Sequence, residues 1–508
     1  MSAAATPAGR APSGPAGLDL DTVTIAGLRR AMASCACTAA ELTGCYLDRI
    51  GRLNPVLRAV VAVHPQAMAA AEASDAARRD GRPPRPLEGI PVLVKDNIAV
   101  SGLPTTAGSL ALSGAAPPDA SCVTRLREAG AVIIGKANLS EWANFRSERS
   151  TSGWSSVGGQ VRNPHVLDRN PSGSSSGSAA AVAAHLAPLA VGTETDGSVV
   201  CPASACGIAG IKPTIGLISR SGIVPVSHLQ DTAGPMARSV ADAAALLDVL
   251  AAPDPADPAT RAAPLIGRGA LDAGALRGSR LGVWRDGCAA AGPSTTAILD
   301  EAVAALRDAG AQIVDPVDLP GAAGLTEPEF TALCHEFKHD LNRYLVTLGA
   351  GLPRSLAEVI EYNVRNTERM MPFFGQDVFE RAEATSGDLT REAYVAVRAQ
   401  ATGLARRALD TPLGAQRLDA VVTLTANAAW PTDHVLGDRD VFHTSTPAAV
   451  AGYPAVSVPA GMVHGLPVGL TFMSAAWREP RLLALAAAFE QATRARRAPA
   501  YAPTIEFT

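Results

Sequence analysis

The sequence predicts a single large α/β domain in which helices cover both faces of a mixed β-sheet. Its 508 residues are 47% hydrophobic but only 4% aromatic, which is typical of a large core built from aliphatic side chains. Short β-branched runs alternate with segments of helical periodicity, as expected of an α/β fold. Because no linker-like stretch divides the middle of the chain, we expect one domain, although the length alone would suit three.

The N-terminal residues 1–19 are rich in Ala, Pro and Gly, and they lack the apolar core of a secretory signal. They are predicted to form a disordered tail ahead of a folded domain over 20–508. Apolar residues then recur at helical spacing over 22–52 and 55–79. This periodicity predicts two N-terminal helices.

Two short apolar runs, 90–94 and 131–134, are predicted as buried strands, with a helix over 121–129 between them. Strand, helix and strand in this order favour parallel pairing. An alanine-rich helix is predicted over 178–185, followed by a buried strand at 188–191. The remaining predicted strands lie at 280–283, 312–314, 420–424, 455–458 and 468–472.

The segment 321–412 differs from the rest because it is more polar and mostly helical in pattern. It is predicted to be either a helical cap over the functional site or a set of peripheral helices. The sequence leaves both interpretations open.

Composition argues against several classes of function. The net charge is −4 and no basic cluster is dense, so we expect no nucleic-acid partner. No run of eighteen uninterrupted apolar residues occurs, so we expect no membrane span and a cytoplasmic protein.

The eight cysteines form no paired CxxC units, which favours structural thiols over a metal site. Cys201 would need a nearby base to act as a nucleophile.

Lys95 is the first candidate for chemistry. It is one of four lysines in the chain and directly follows the apolar run 89–94. Burial disfavours the charged ammonium and would lower the pKa of Lys95 from about 10.4 toward neutrality. Arginine does not release its proton in proteins, so the residue type matters here. We therefore predict that Lys95 is a base.

Two serine-containing turns supply the second half of the prediction. Residues 172–178 read Ser-Gly-Ser-Ser-Ser-Gly-Ser, and residues 195–198 read Thr-Asp-Gly-Ser. A flexible linker would have the first composition, but this run lies between predicted core elements. Gly197 would let backbone N–H groups approach a substrate oxygen closely. A lysine with two serines can build a nucleophile without histidine.

These motifs resemble the signature of the amidase signature family. The resemblance is carried by Lys95 after Pro-Val-Leu-Val, by Gly-Ser-Ser-Ser-Gly at 173–177, by Gly-Thr-Glu-Thr-Asp-Gly-Ser at 192–198 and by Gly-Ile-Lys-Pro-Thr at 210–214. It extends over most of residues 20–500, since Asn-Leu-Ser-Glu-Trp and Gly-Leu-Pro-Val-Gly-Leu also match. The 195–198 variant, with Gln-Asp-Thr-Ala-Gly-Pro-Met at 230–236, is especially similar to bacterial peptide amidases.

The resemblance implies a serine amidase with Ser198 as nucleophile, Ser174 as bridging serine and Lys95 as base. It also implies an oxyanion hole made by the backbone N–H groups of Thr195, Asp196, Gly197 and Ser198. The implied substrate is a small-molecule or peptide amide, in particular the C-terminal amide of a peptide. No cofactor or metal is implied. An acyl transferase, an amide-forming enzyme and the amidase subunit of a tRNA-dependent amidotransferase remain alternatives, and the oligomeric state stays open.

Three positions depart from the family pattern. The chain has Ser172, Asp196 and Val200 where glycine, glycine or alanine, and arginine are common. Asp196 places a carboxylate beside the proposed nucleophile, where it would hold the turn by local hydrogen bonds or contact a polar substrate group. Val200 removes a cation.

Two other motifs suggest rival sites. Gly173 to Gly177 also satisfies Gly-x-Ser-x-Gly, which would make Ser175 the nucleophile, but such an elbow needs a strand before it and a turn sequence precedes this one. His335 and His339 fall in an H-E-x-x-H pattern, which marks zinc proteases. The complete lysine and serine constellation elsewhere favours a chance match on a helix.

Overall fold

The computed structural model describes residues 14–261 and 271–506. Its thirteen described strands are β1 Val60–Val63, β2 Pro91–Lys95, β3 Val132–Ala137, β4 Trp154–Ser155, β5 Gly159–Gln160, β6 Leu189–Glu194, β7 Ala209–Lys212, β8 Thr232–Ala237, β9 Arg280–Val283, β10 Gln312–Val314, β11 Ala420–Leu424, β12 Ala455–Val463 and β13 Leu466–Met473.

Fifteen α-helices surround these strands in the described residues. They are α1 Ile25–Ala33, α2 Ala39–Leu57, α3 Ala67–Arg79, α4 Ser121–Glu128, α5 Ser176–Ala183, α6 Val200–Ala205, α7 Val240–Leu250, α8 Pro293–Asp308, α9 Thr326–Leu345, α10 Leu356–Arg365, α11 Thr367–Met370, α12 Asp377–Ala384, α13 Glu392–Ala415, α14 Thr446–Ala451 and α15 Glu479–Thr493. Each of these helices is too short or too polar to span a bilayer.

Eleven strands form one mixed sheet in the order β1-β3-β2-β6-β8-β7-β12-β13-β11-β9-β10. β3, β2 and β6 are mutually parallel, as are β11, β9 and β10, and the strands between these groups pair antiparallel. Every residue of β2, β3, β6, β8, β11 and β13 is buried. Because successive side chains point to opposite faces, both faces are covered, which confirms the predicted fold class.

The N-terminal helices differ from the prediction. The periodicity over 22–52 predicts one helix, but α1 ends at Ala33 and α2 begins at Ala39. Thr38 caps α2 in a capping box with Glu41, and this cap fixes a new helix start. Between α2 and α3 the chain adds the edge strand β1. Residues 1–13 of the predicted tail lie outside the described residues, and Pro15–Gly17 forms a single 3₁₀ turn.

The predicted segment 321–412 contains α9 to α12 and most of α13. Helices α9 and α12 pack on loops, whereas α13 packs on α14 and on strand β11 of the sheet. Phe337 of α9 and Phe379 of α12 join a buried cluster with Trp142 and Val226. Ala401 of α13 belongs to another cluster that includes Val200. The segment therefore contacts the region around α6.

The topology brings two strand ends together. Lys95 is the last residue of β2, and Glu194 is the last residue of its parallel neighbour β6. Helix α5 begins at Ser176, before β6 in the sequence, and helix α6 begins at Val200, six residues after the end of β6. The carboxyl ends of parallel strands are the usual place for a functional site in α/β sheets.

Candidate active site

Lys95 is fully buried, and its Nζ contacts serine and threonine hydroxyls. It lies 2.8 Å from Ser174 Oγ, 3.0 Å from Ser175 Oγ and 2.9 Å from Thr193 Oγ1, and it donates to the Thr193 carbonyl at 3.2 Å. Burial lowers the pKa of Lys95 to about 7, although the carboxylate of Glu194 opposes the shift. A large fraction of this amine is therefore neutral near pH 7.

Two other lysines are also fully buried, but they have different partners. Lys136 forms an ion pair with Asp96 at 2.9 Å. Lys212 donates to the carbonyl of Pro213 at 3.2 Å, and burial lowers its pKa to about 8. Neither has a hydrogen bond to a serine among the described residues, so Lys95 alone of the three fits the predicted base.

The serine-rich run 172–178 is a built part of the site and not a linker. Ser174, Ser175 and Ser176 are each fully buried. Ser175 Oγ donates to the Thr193 carbonyl at 3.0 Å and accepts from the Thr193 N–H at 3.2 Å. The described residues contain no strand directly before this run. The elbow with Ser175 as nucleophile is therefore not formed, and the Ser175 hydroxyl serves to hold β6.

The turn that connects β6 to α6, residues 195–199, is called here the β6–α6 turn. The Ser175 N–H donates to the Ser198 carbonyl at 3.1 Å, which places the residue next to Ser174 in contact with Ser198. Glu194 Oε2 accepts from the N–H groups of Val199 and Val200 at 2.7 and 3.0 Å. This carboxylate satisfies donors at the start of α6.

The N–H groups of Asp196, Gly197 and Ser198 donate to no protein acceptor within residues 14–261 and 271–506. Gly197 has a φ of +73°, which L-residues rarely adopt. A Cβ atom at Gly197 would lie 2.9 Å from both Cys201 Sγ and Ser445 Oγ. The turn therefore requires glycine here and leaves backbone donors available to an oxyanion.

Asp196 is held by two hydroxyls at the start of α14. Ser445 Oγ donates to one carboxylate oxygen at 2.5 Å and Thr446 Oγ1 donates to the other at 2.7 Å. The carboxylate does hold the turn, but its partners lie about 250 positions away in the sequence and are not the local ones that the sequence predicts. The charged acceptor links the β6–α6 turn to the C-terminal part of the sheet.

Replacing Asp196 by Ala is expected to lower the free energy of unfolding by about 1.5–3 kcal/mol, the usual value for a hydrogen bond to a charged group. Chemical denaturation measures this loss. A double-mutant cycle with Thr446→Val is the control, because the two losses should be less than additive when the side chains interact. Strictly additive losses would contradict the contact.

The H-E-x-x-H pattern does not assemble as a metalloprotease site. Glu336 is fully buried, and its carboxylate contacts Arg398 and accepts a hydrogen bond from Tyr394. His339 Nδ1 lies 2.8 Å from an oxygen of Asp340, and the His335 ring packs 5.7 Å from that of Tyr394. Glu336 therefore has a structural partner in place of a metal-bound water.

Cys201 lies against Gly197, but its surroundings do not favour a nucleophilic thiolate. Burial raises the pKa of the Cys201 thiol well above its usual value, and nearby carboxylates add to the shift. A thiol that stays protonated is a poor nucleophile. All eight cysteines are free in the described chain.

Several supporting residues were not identified from the sequence. Thr193 contacts Lys95, and Asn97 Nδ2 donates to the Thr193 hydroxyl at 2.9 Å. Asp231 accepts from Thr195 Oγ1 at 2.6 Å, and burial raises the pKa of Asp231 to about 6. Thr193 and Asp231 lie inside the motifs at 192–198 and 230–236, so these motifs were the sequence signal from which both residues could have been identified. Ser445 had none.

Known proteins similar to this chain include amidases and an amidotransferase subunit. A family model described as Amidase matches residues 41–483. A probable amidase of Arabidopsis thaliana is 40% identical over 497 residues, which are 95% of this chain and 92% of that protein. A glutamyl-tRNA(Gln) amidotransferase subunit of Thermus thermophilus is 37% identical over 463 residues, which are 89% of this chain and 93% of that protein.

Among solved structures, the native peptide amidase from Stenotrophomonas maltophilia superposes with a TM-score of 0.90 at 48% identity, over 94% of this chain and 99% of its own. A peptide amidase in complex with the competitive inhibitor chymostatin matches with the same values. The chain therefore belongs to the amidase signature family. It is an enzyme, an amidase of the hydrolase class.

Proposed function

We propose that the protein hydrolyses the C-terminal amide of peptides through an acyl-enzyme on Ser198. The observation that carries this proposal is the buried amine of Lys95, 2.8 Å from Ser174 Oγ, where the Ser175 N–H contacts the Ser198 carbonyl. The substrate class is supported by the 48% identity to a peptide amidase over nearly the whole chain.

The reaction begins with a proton relay. Neutral Lys95 accepts the proton of Ser174, and Ser174 takes the proton of Ser198 as its Oγ attacks the carboxamide carbon. The C–N bond then breaks, and the relay returns the proton to the departing nitrogen, which leaves as ammonia. Water attacks the acyl-enzyme, releases the peptide acid and restores Ser198.

The tetrahedral intermediates carry a negative oxygen, which we place at the β6–α6 turn. The N–H groups of Asp196, Gly197 and Ser198 are its donors in this proposal, and the N–H of Thr195 adjoins them. An oxyanion donor in a comparable site contributes about 3–4 kcal/mol of transition-state stabilisation. The turn is already held before substrate binds, because the Thr195 hydroxyl donates to Asp231 and the Asp196 carboxylate accepts from Ser445.

We expect kcat/KM to rise with pH through about 7 and then to level off, because only the neutral form of Lys95 accepts a proton. The sign follows from the lowered pKa of a cationic acid, whose base form is populated above that pKa. Below it, the logarithm of kcat/KM should fall by about one per pH unit. Initial rates on one peptide amide between about pH 5 and 10 measure this; a flat profile across that range would contradict the assignment.

The substrate proposal is tested by measuring ammonia release from N-acetylated dipeptide amides, arylamides and simple carboxamides, with product masses recorded. The proposal predicts that the peptide amides have the highest kcat/KM and give peptide acids. Preparations of the Ser198→Ala variant serve as the blank for contaminating amidases. Turnover confined to simple carboxamides would refute the peptide assignment while leaving the amidase class intact.

Acyl transfer is the second candidate, because it uses the same acyl-enzyme with an amine in place of water. Acyl transfer is supported by one relative of this chain, which is a subunit of an amidotransferase. Adding hydroxylamine to the assay distinguishes the two. A hydroxamate that dominates at low hydroxylamine concentration supports transfer, and peptide acid as the main product supports hydrolysis.

A further inference from the structure

We propose that Arg398 and Glu336, in segment 321–412, position the β6–α6 turn through Gln230. They are positioning residues in this proposal, since neither touches the reacting atoms. The inference rests on the proposed function in one respect, because it takes Ser198 of that turn as the nucleophile. It gives the helical segment a part in the active site.

The first link is a buried ion pair between two helices. Arg398 of α13 donates from Nε to one carboxylate oxygen of Glu336 at 2.6 Å, and from Nη2 to the other at 2.5 Å. Glu336 of α9 is fully buried, and Arg398 is 8% exposed. This bidentate geometry fixes the plane of the guanidinium group.

The second link is the amide of Gln230, which is 1% exposed. Arg398 Nη1 donates to Gln230 Oε1 at 2.6 Å. Because arginine has only donors, this contact assigns the amide oxygen, and the NH₂ group must face the other side. There Nε2 donates to Glu329 at 2.8 Å and approaches the Thr195 carbonyl at 3.4 Å. Arg398 thus orients the donor that faces the turn.

A second hydrogen-bonded route joins the same two ends. Ser227 Oγ donates to Glu336 at 2.5 Å, and the Ser227 N–H donates to Asp231 at 3.0 Å. Asp231 in turn accepts from the Thr195 hydroxyl at 2.6 Å. Glu336 is therefore connected to the carbonyl of Thr195 through Gln230 and to its hydroxyl through Asp231. Thr195 lies three residues before Ser198.

Stability alone is a poor explanation for this arrangement. A buried ion pair is commonly no more stable than well-packed apolar side chains of similar volume, because both charges lose their hydration. Such a pair does fix geometry when every polar atom has a partner, and Tyr394 supplies a further donor to Glu336 at 2.7 Å. α13 also packs through Ala401 in the cluster that contains Val200, the first residue of α6. The network therefore suits a positioning role.

The test compares Arg398→Met and Gln230→Leu with the wild type. We expect each to lower kcat by about 10- to 100-fold, as small misplacements of reacting groups do, with KM changed less than about threefold. The rate at which a fluorophosphonate labels Ser198 should fall by the same factor. The double variant should lose little more than either single variant, because both interrupt one route.

The control elsewhere in the fold is Arg285→Met, which breaks a bidentate arginine–carboxylate pair with Asp315 beside the edge strand β10 and its neighbour β9. It should lower the melting temperature and leave kcat unchanged, which separates a stability loss from a positioning loss. The Arg398→Lys variant keeps the positive charge but loses the bidentate geometry. If the charge of the pair with Glu336 contributes to positioning, its kcat should lie between that of Arg398→Met and that of the wild type. Should Arg398→Met fail to fold, Gln230→Leu decides, because it leaves the ion pair intact.

Wild-type kcat and labelling rate in folded Gln230→Leu or Arg398→Met would overturn the inference. This failure is distinct from failure of the proposed function. If Ser198 is not the nucleophile that the proposed function requires, the wild-type enzyme carries no label on Ser198. If only the inference is wrong, Ser198 is labelled in the variants at the wild-type rate.

Discussion

Replacing Ser198 by Ala is expected to lower kcat by about a million-fold, the loss seen when a serine hydrolase of comparable chemistry loses its nucleophile. Neither Ser174 nor Ser175 of the serine-rich run is expected to replace Ser198, because Ser174 is needed in the proposed relay and the Ser175 hydroxyl is bonded to both Lys95 and Thr193. Ammonia release under single-turnover and steady-state conditions measures the loss.

The control for this variant is Ser178→Ala in the serine-rich run 172–178. Ser178 is fully buried, and among the described residues its hydroxyl makes one long contact, of 3.4 Å, with the Val191 carbonyl. It should retain activity close to wild type, and both variants should keep the wild-type circular dichroism spectrum. Mapping the fluorophosphonate-labelled peptide gives the contradicting result, which would be a label on Ser175 with Ser198 unmodified.

Replacing Lys95 by Met is expected to lower kcat/KM by about 10²- to 10⁴-fold, which is the usual contribution of a positioned general base. Methionine keeps an unbranched apolar stem in the buried site but removes the amine that contacts Ser174. KM should change little, because in the proposed relay the amine acts on the nucleophile and not on the bound substrate. Steady-state kinetics on one peptide amide separate the two constants.

The Lys95→Arg variant distinguishes a base from a fixed positive charge. Arginine keeps the charge and the hydrogen-bond donors, but it does not give up its proton in proteins. We therefore expect it to be as inactive as Lys95→Met at every pH. Substantial activity in Lys95→Arg would show that the residue stabilises charge and does not accept a proton.

Much of the fold could be predicted from the sequence because its strands are short and apolar. The predicted strands 280–283, 312–314 and 420–424 coincide with β9, β10 and β11. β7 and β8 were missed, since Gly and Pro in them are typical of turns. β8 holds Gly234 in the middle of the sheet because a Cβ there would lie 2.4 Å from the Ile211 carbonyl oxygen. That requirement comes from the neighbouring strand and leaves no local pattern.

The site shows the same division between local and distant information. Lys95 and Ser174 are identified by residue type and motif, and the structure brings them within hydrogen-bond distance. The hydroxyls that hold Asp196 could not be identified, because Ser445 and Thr446 stand in an ordinary helix start far along the chain. Glu336 gave a misleading signal, since its H-E-x-x-H spacing is compatible with any helix.

The most direct test of the account is the ionisation of Lys95 itself. The chain has only four lysines, so lysine labelled with ¹³C at Cε gives few signals, and the Lys95→Arg variant assigns the one of interest. The account predicts that this signal titrates near pH 7 in the folded enzyme and that its midpoint matches the rise of kcat/KM. A Lys95 amine that remains charged above about pH 9 in the active enzyme, close to the ordinary behaviour of a lysine, would contradict the central claim.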